Sequence, residues 1–301
     1  MAISATLQAG GHEPQQEKKI KNEMPTIKLV PVKMPLKEMT LEDKKRQIME
    51  EKEPFYVAAV FDGSTSTSIY SQMVQEVAGG LKKDFEGNFG SEISTEFLPT
   101  DKYGSKNDLD NYASFFENLL QGTLNNCSII IYGDLDPGGQ GAVDPALADS
   151  IVQELKKRNI KIYVVFLEDK KQEKQEKTNS GLLLKSWEGH LRSAKRNGSI
   201  KLDMYFKDDK GRDRFDKTET FTPAQCQQHV DEIKHEMFKA EKRVETMQKI
   251  CGETGGKLIA ISDNELSSFK KSGASKKQEY IKNVQSLILD VIITEQLEGG
   301  N

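Results

Sequence analysis

The sequence has few cysteines, and their spacing fits neither a disulfide framework nor a zinc site. Only three occur among 301 residues, Cys127, Cys226 and Cys251, and no two of them form a C-x-x-C pair. An odd number without paired spacing argues against both kinds of cross-link. We therefore interpret Cys226 and Cys251, which fall on the apolar face of one predicted helix, as core residues.

Long apolar runs and an excess of one charge are also missing. No uncharged stretch approaches the roughly 18 residues of a membrane span, and the N-terminus lacks the apolar core of a signal peptide. The 43 basic and 47 acidic residues give a formal charge of −4, which provides no general attraction to nucleic acid or membrane. We expect a soluble, cytoplasmic protein with neither of those partners, and the oligomeric state stays open.

Histidine offers no metal motif either. The chain has four histidines, and His229 and His235 are six residues apart on a predicted helix, which is not the spacing of H-E-x-x-H. We predict that both face solvent.

The clearest periodic signal lies between residues 55 and 85. Phe55 to Phe61 is uncharged and rich in apolar and β-branched residues, which predicts a strand buried on both faces of a parallel sheet. From Ile69 to Phe85 apolar residues recur at every fourth position, a spacing that places them along one side of a helix. The segment therefore predicts a strand, a polar loop and a helix.

That loop contains an acid followed at alternate positions by two hydroxyl groups, Asp62, Ser64 and Ser66. In an open α/β sheet, ligands bind beyond the carboxyl ends of the strands, where this loop would lie. Carboxylate and hydroxyl oxygens suit a hard cation such as Mg²⁺. The alternative is that the three residues only cap the following helix.

Further segments repeat this alternation of strand and helix. Apolar runs within 91–100, 127–141 and 161–169 are typical of strands. The residues predicted to form the buried helix faces between them are Tyr112, Phe115, Phe116 and Leu119, and then, after the N-cap Asp144, Leu147, Ile151 and Leu155. The order predicts the α/β class, with a doubly wound, mostly parallel sheet flanked by helices.

After residue 168 the alternation is interrupted. A solvated charge run (168–177) precedes a helix around Trp187, which we interpret as a core residue, and then a hairpin formed by 199–206 and 214–221. A long helix (223–251) carries apolar residues at alternating spacings of four and three, a coiled-coil pattern. Its apolar face either packs on the neighbouring Trp187 helix or forms an exposed arm for another protein.

Two motifs that lie far apart in the chain resemble the von Willebrand factor type A domain, an integrin-I-like fold. Residues 62–66, DGSTS, match its D-x-S-x-S signature, and the T-G-G of 254–256 before a short strand resembles its last helix–strand corner, with Gly255 or Gly256 as the left-handed cap. The domain boundaries that follow are an N-terminal arm (1–53), partly disordered, the A-like domain (54–168 and 243–293, closing on helix 276–293), an α+β insertion (169–242) and a tail (294–301).

The resemblance implies a metal-ion-dependent adhesion site. In that family a threonine and an aspartate from two later loops complete the metal shell around the D-x-S-x-S residues. The residues in the matching positions are Thr100, with Ser105 as the alternative, and Asp134, with Asp136 as the alternative. The implied cofactor is Mg²⁺ or Mn²⁺, and the implied function is binding an acidic residue of a protein partner, within a larger assembly and without enzymatic activity.

Two other functions fit parts of the sequence. DGSTST also resembles the first phosphate loop of actin-like and sugar-kinase ATPases, although the helical period after it differs from the strand pair of that fold. The chain could also be a structural subunit whose metal site is vestigial.

Overall fold

The computed structural model describes most of the chain between residues 36 and 299. The described ranges are 36–51, 56–61, 70–89, 95–97, 111–207 and 213–299. From Met39 onward the described residues belong to one compact unit. No helix in these ranges has both the length and the apolar character that crossing a membrane requires.

The described residues contain seven strands, of which five form one parallel sheet and two form a hairpin. The strands are β1 (Tyr56–Phe61), β2 (Thr95–Phe97), β3 (Cys127–Gly133), β4 (Ile160–Leu167), β5 (Ile200–Lys207), β6 (Asp213–Phe221) and β7 (Leu258–Ile261). Their order in the sheet is β2-β1-β3-β4-β7, and every described pair in it is parallel. The order reverses between β1 and β3, because the chain first moves from β1 to β2 and then continues on the other side of β1.

The same residues form eight α-helices, and helices lie on both faces of the sheet. They are α1 (Leu41–Glu51), α2 (Ser71–Phe89), α3 (Tyr112–Gln121), α4 (Ala148–Lys157), α5 (Lys170–Asn197), α6 (Pro223–Glu253), α7 (Asp263–Lys271) and α8 (Ala274–Gly299). The predicted α/β class, a parallel sheet flanked by helices, is therefore confirmed.

One face of the sheet is covered by α3, α4 and the end of α6. All four residues predicted for the buried face of α3 are buried, as are Ile151 and Leu155 of α4. Leu147 differs from its prediction, since its side chain is 49% exposed. It ends a short 3-10 helix, Pro145–Leu147, that Asp144 caps, and the tighter turn rotates Leu147 away from the core.

The opposite face is covered by α8, which packs against α2. Lys161 of β4 donates to the backbone oxygen of Glu295 near the end of α8, at 3.1 Å. α8 continues to Gly299, beyond the predicted end at residue 293, and Leu297 in this last part is buried. α1 docks on α8 through Lys44, whose Nζ lies 2.8 Å from a carboxylate oxygen of Asp290.

α5, the β5–β6 hairpin and α6 form a layered substructure of their own. α5 begins at Lys170, capped by Asp169, so the predicted charge run is mainly the first turns of this helix rather than a segment before it. α5 and α6 run antiparallel: Ala194 shares a buried cluster with Cys226, and Glu173 pairs with Arg243 near the other end. The apolar face of α6 is therefore buried within the chain over much of its length, which favours the packed alternative.

Two aromatic predictions in this substructure are only partly right. Trp187 is half-buried against the apolar cluster of the hairpin and helices. His229, predicted to face solvent, stacks on Trp187 with ring centroids 4.1 Å apart. His235 is exposed as predicted, but its Nε2 lies 2.9 Å from a carboxylate oxygen of Asp144.

The corner between α6 and β7 explains the T-G-G motif. Gly255 has a φ of +79°, so it is the left-handed residue that ends the helix. The Thr254 hydroxyl donates to the backbone oxygen of Ile250 at 2.8 Å and accepts from the backbone N–H of Ile162 at 3.2 Å. The corner therefore fixes the end of α6 directly to β4, an interior strand of the sheet.

All three cysteines are buried free thiols, which confirms the interpretation of Cys226 and Cys251 as core residues. Burial raises the pKa of Cys127 to about 11 and that of Cys251 to about 12. Because the thiolate is the reactive form, these thiols are poor nucleophiles at neutral pH.

Candidate functional site

The carboxyl ends of β1, β3 and β4 meet at one edge of the sheet. Phe61, the last residue of β1, is paired with Tyr132, and Gly133 at the end of β3 is paired with Phe166. Asp134 follows β3 directly and therefore lies next to the end of β1, where the strand order reverses. In open α/β sheets this is where ligands bind.

Of the predicted metal ligands, only Asp134 and its alternative Asp136 belong to the described residues. Asp62, Ser64, Ser66, Thr100 and the alternative Ser105 lie outside them. The assignment of those residues stays a prediction.

The Asp134 carboxylate is buried and held from two directions. The side chain is 5% exposed, and its Oδ1 accepts the backbone N–H of Asp136 at 3.1 Å. Its Oδ2 accepts a longer bond, of 3.4 Å, from the side-chain amide of Gln172. Gln172 lies in the first turn of α5, where its own N–H is bound by the capping carboxylate of Asp169. The start of α5 therefore orients this carboxylate.

Asp136, the alternative ligand, has a structural role in its own loop. Its two carboxylate oxygens accept the backbone N–H groups of Gly138, at 2.9 Å, and of Gly141. Asp136 and the preceding Leu135 have positive φ values of 52° and 63°, which few non-glycine residues adopt. Because both oxygens hold this strained turn in place, Asp134 is the better candidate for a ligand.

The loop from Asp134 to Asp144, called the β3–α4 loop here, is pressed against the middle of α6. Gly139 has a φ of +88°, and a Cβ atom on it would lie 2.0 Å from the backbone oxygen of Glu236. Lys239 donates to the backbone oxygen of Gln140 at 3.0 Å. This contact was not predicted from the sequence. The glycine-rich segment 137–141, PGGQG, was the only local feature that indicated a close approach.

Arg243 of α6 is a buried cation beside this site that sequence reasoning also missed. Its guanidinium donates to the backbone oxygen of Ala240 at 2.8 Å and, more weakly, to that of Asp134 at 3.5 Å. An oxygen of Glu173 on α5 lies 3.3 Å from it, and the ring of Phe166 lies 6.0 Å away. One side chain therefore joins α5, α6 and the backbone of the candidate ligand.

We expect Arg243→Met to lower the free energy of unfolding by about 1–3 kcal/mol, because it removes charge-assisted hydrogen bonds from a buried position. Arg243→Lys should retain part of this stability. Lys242→Met is the matched control, since Lys242 is half-buried and its ion pair is with the exposed Glu245 of the same helix, at 2.8 Å. Urea denaturation measures all three variants, and equal losses at positions 242 and 243 would contradict the assignment.

A second network lies at the start of α2. Tyr70, the first described residue after the predicted metal loop, is 2% exposed, and its hydroxyl donates to Asp169 at 3.4 Å. Lys270 of α7 lies over the ring, 4.4 Å from its centroid. Burial raises the pKa of Tyr70, and Lys270 opposes that shift. Asp169 thus links the start of α2 to the helix that orients Asp134.

Among the described residues, no three His, Cys, Asp or Glu side chains are grouped closely enough to hold a metal ion. Of the predicted ligands, only Asp134 and its alternative Asp136 lie within those residues. The chain matches no protein-family model, and neither a curated protein nor a solved structure is significantly similar to it.

Proposed function

We propose that this protein is a protein–protein interaction module with a von Willebrand A-like domain, and that it binds an acidic residue of its partner through a divalent cation. The observation that carries the proposal is the buried carboxylate of Asp134 at the end of β3, where the strand order reverses. Phe61, the last residue of β1, is paired with Tyr132 of β3. Asp62 comes directly after Phe61 in the sequence, and Asp134 comes two positions after Tyr132. Asp62, Ser64, Ser66 and Thr100 are the other proposed ligands.

The chemistry of this edge fits Mg²⁺ or Mn²⁺. The proposed ligands all offer oxygen, and Asp134 is already oriented by the N–H of Asp136 and the amide of Gln172. Only two of the five proposed ligands are anionic and the three hydroxyls are neutral, so a bound divalent ion would stay electrophilic enough to bind a further carboxylate. The ion would supply an open coordination position for the carboxylate of the partner, while the residues of this chain hold it at the sheet edge.

Metal binding is tested by titrating Mg²⁺ and Mn²⁺ into the full-length protein in a calorimeter. Asp134→Asn and Asp62→Ala should each weaken binding by at least about tenfold, because each removes one of the two proposed anionic ligands. Asp231→Asn removes an exposed carboxylate on α6 and should leave the affinity unchanged. Equal affinity in the wild type and Asp134→Asn would rule out Asp134 as a ligand.

Partner binding is tested by capture from native lysate. A chelator and the Asp134→Asn variant should each abolish capture, and added nucleotide should have no effect. Capture that survives both treatments would support a structural subunit with a vestigial metal site.

The ATPase alternative is disfavoured by the chain after β1. An actin-like fold places a strand pair there, whereas here residues 71–89 form α2 and both sheet neighbours of β1 run parallel to it. ATP hydrolysis abolished by Asp62→Ala would overturn this argument.

A further inference from the structure

A cleft of about 540 Å³ opens between the β3–α4 loop and the helices α5 and α6. We call it the rim cleft. Its lining includes three acids, Asp136, Glu176 and Glu236, but no lysine or arginine among the described residues. The cleft is therefore a concave site of one charge sign, and it lies beside the candidate metal site.

Two of these acids are available to a ligand. Glu176 of α5 and Glu236 of α6 are half-buried, and neither has a hydrogen-bond or ion-pair partner within the described part of the chain. Asp136 is 8% exposed and is already bound by the N–H groups of its own loop. Two carboxylates on facing helices are thus left to attract a cation.

The shape of the site strengthens that attraction. A cleft with low-dielectric walls and charges of one sign concentrates the electric field inside it. Two cations of α6 have partners outside the cleft acids, since Lys239 donates to the backbone oxygen of Gln140 and Arg243 pairs with Glu173. Neither residue lines the rim cleft.

The rest of the wall suits a long basic side chain rather than a bare ion. Leu183 of α5, which is 48% exposed, and the buried Ile233 of α6 provide apolar surface for an aliphatic stem. Gln140 and Asn179 add side-chain amides, whose oxygens can accept hydrogen bonds. A guanidinium fits best, because its five N–H donors can bond to carboxylate and amide oxygens together.

We propose that the rim cleft binds an arginine or lysine side chain of a partner protein. Glu176 and Glu236 pair with its charged group, and Leu183 and Ile233 contact its stem. This inference does not depend on metal binding, because none of these four residues is a proposed metal ligand.

The test uses the full-length protein with labelled leucine and isoleucine methyl groups, observed by NMR. The probe is the peptide acetyl-Gly-Ser-Arg-Ser-Gly-amide, compared with its lysine and glutamine counterparts and with spermidine, all in metal-free buffer of low ionic strength. The methyl signals of Leu183 and Ile233 should shift with the arginine and lysine peptides at millimolar concentrations. Leu182, which is 61% exposed on the same helix but does not line the cleft, should not shift.

Substitutions in the rim cleft test which acids bind the basic side chain. Glu176→Gln and Glu236→Gln should each weaken binding by about threefold to tenfold, the range for a partly exposed charge pair. Glu176→Lys places a competing ammonium in the cleft and should abolish binding. Glu241→Gln changes the charge of α6 equally at an exposed position outside the rim cleft and should have no effect. Circular dichroism confirms that each variant is folded.

Three results would overturn the proposal. The first is an absence of Leu183 and Ile233 shifts with both basic peptides, and the second is equal binding of the glutamine peptide. The third is binding of spermidine without either basic peptide, which would assign the cleft to free polyamines. Since the assay contains no metal, its outcome is separate from that of the calorimetric test of the metal site.

Discussion

Gly256→Ala is expected to lower the free energy of unfolding by about 3–5 kcal/mol, the range of a severe packing conflict. A Cβ atom at this position would lie 2.0 Å from the backbone oxygen of Ile162 and 3.1 Å from its nitrogen. Ile162 is fully buried in β4, which is hydrogen-bonded to β3 on one side and β7 on the other. Because β4 is held between these two strands, it cannot shift to relieve the clash. The corner between α6 and β7 would therefore have to open.

Two neighbouring glycines serve as controls in the same urea denaturation series. Gly252 lies in the last turn of α6, and an added Cβ there would have nothing within 4 Å. Because alanine has the higher helix propensity, Gly252→Ala should leave the free energy of unfolding unchanged or raise it by up to about 1 kcal/mol. Gly255→Ala forces an alanine to a φ of +79° and should cost about 1–2 kcal/mol. A loss at position 256 no larger than that at position 255 would show that the close approach is wrong.

Local patterns were sufficient to predict the sheet and the helices packed on it. The apolar runs that form β1, β3 and β4 and the apolar spacing of α3 depend on residues that are close together in the sequence. Leu147 departs from its predicted place because a 3-10 turn changes the period locally. Periodicity therefore predicts the elements and fails where the helix geometry itself changes.

Contacts between distant residues could not be predicted in this way. Arg243 lies in a polar stretch of α6, and nothing around it in the sequence indicates that it meets Asp134 and Glu173. The sequence places Gln172 in a charge run that is predicted to be solvated, whereas its side-chain amide donates to Asp134. Each contact depends on how α5 and α6 return to the sheet, and that path is set by tertiary packing.

Part of the candidate site was likewise predictable from the sequence, and part of it depends on tertiary contacts. A strand followed by an acid predicted the position of Asp134, because the carboxyl ends of parallel strands share one edge. The choice between Asp134 and Asp136 required the hydrogen bonds to Gly138 and Gly141, which only the folded loop reveals. The rim cleft was not predicted, because Glu176 and Glu236 come from helices that are far apart in the sequence.

Gly139→Ala is expected to lower the free energy of unfolding by about 2–4 kcal/mol and to weaken divalent-cation binding by about tenfold. The added Cβ would lie 2.0 Å from the backbone oxygen of Glu236 and 3.0 Å from the Cβ of Ala240, at a φ of +88°. Relief of this clash must separate the β3–α4 loop from α6. The same movement draws Asp134 away from Arg243 and Gln172, so stability and metal affinity should fall together.

Gly198→Ala separates the backbone strain from the clash. Gly198 has a φ of +81°, but nothing lies within 4 Å of an added Cβ, so the cost should be about 1 kcal/mol and metal binding should be unchanged. Urea denaturation and Mg²⁺ calorimetry on both variants measure the two effects. A Gly139→Ala variant with full metal affinity would show that the packing of the β3–α4 loop against α6 does not position Asp134. The layered substructure of α5 and α6 would then be independent of the metal site.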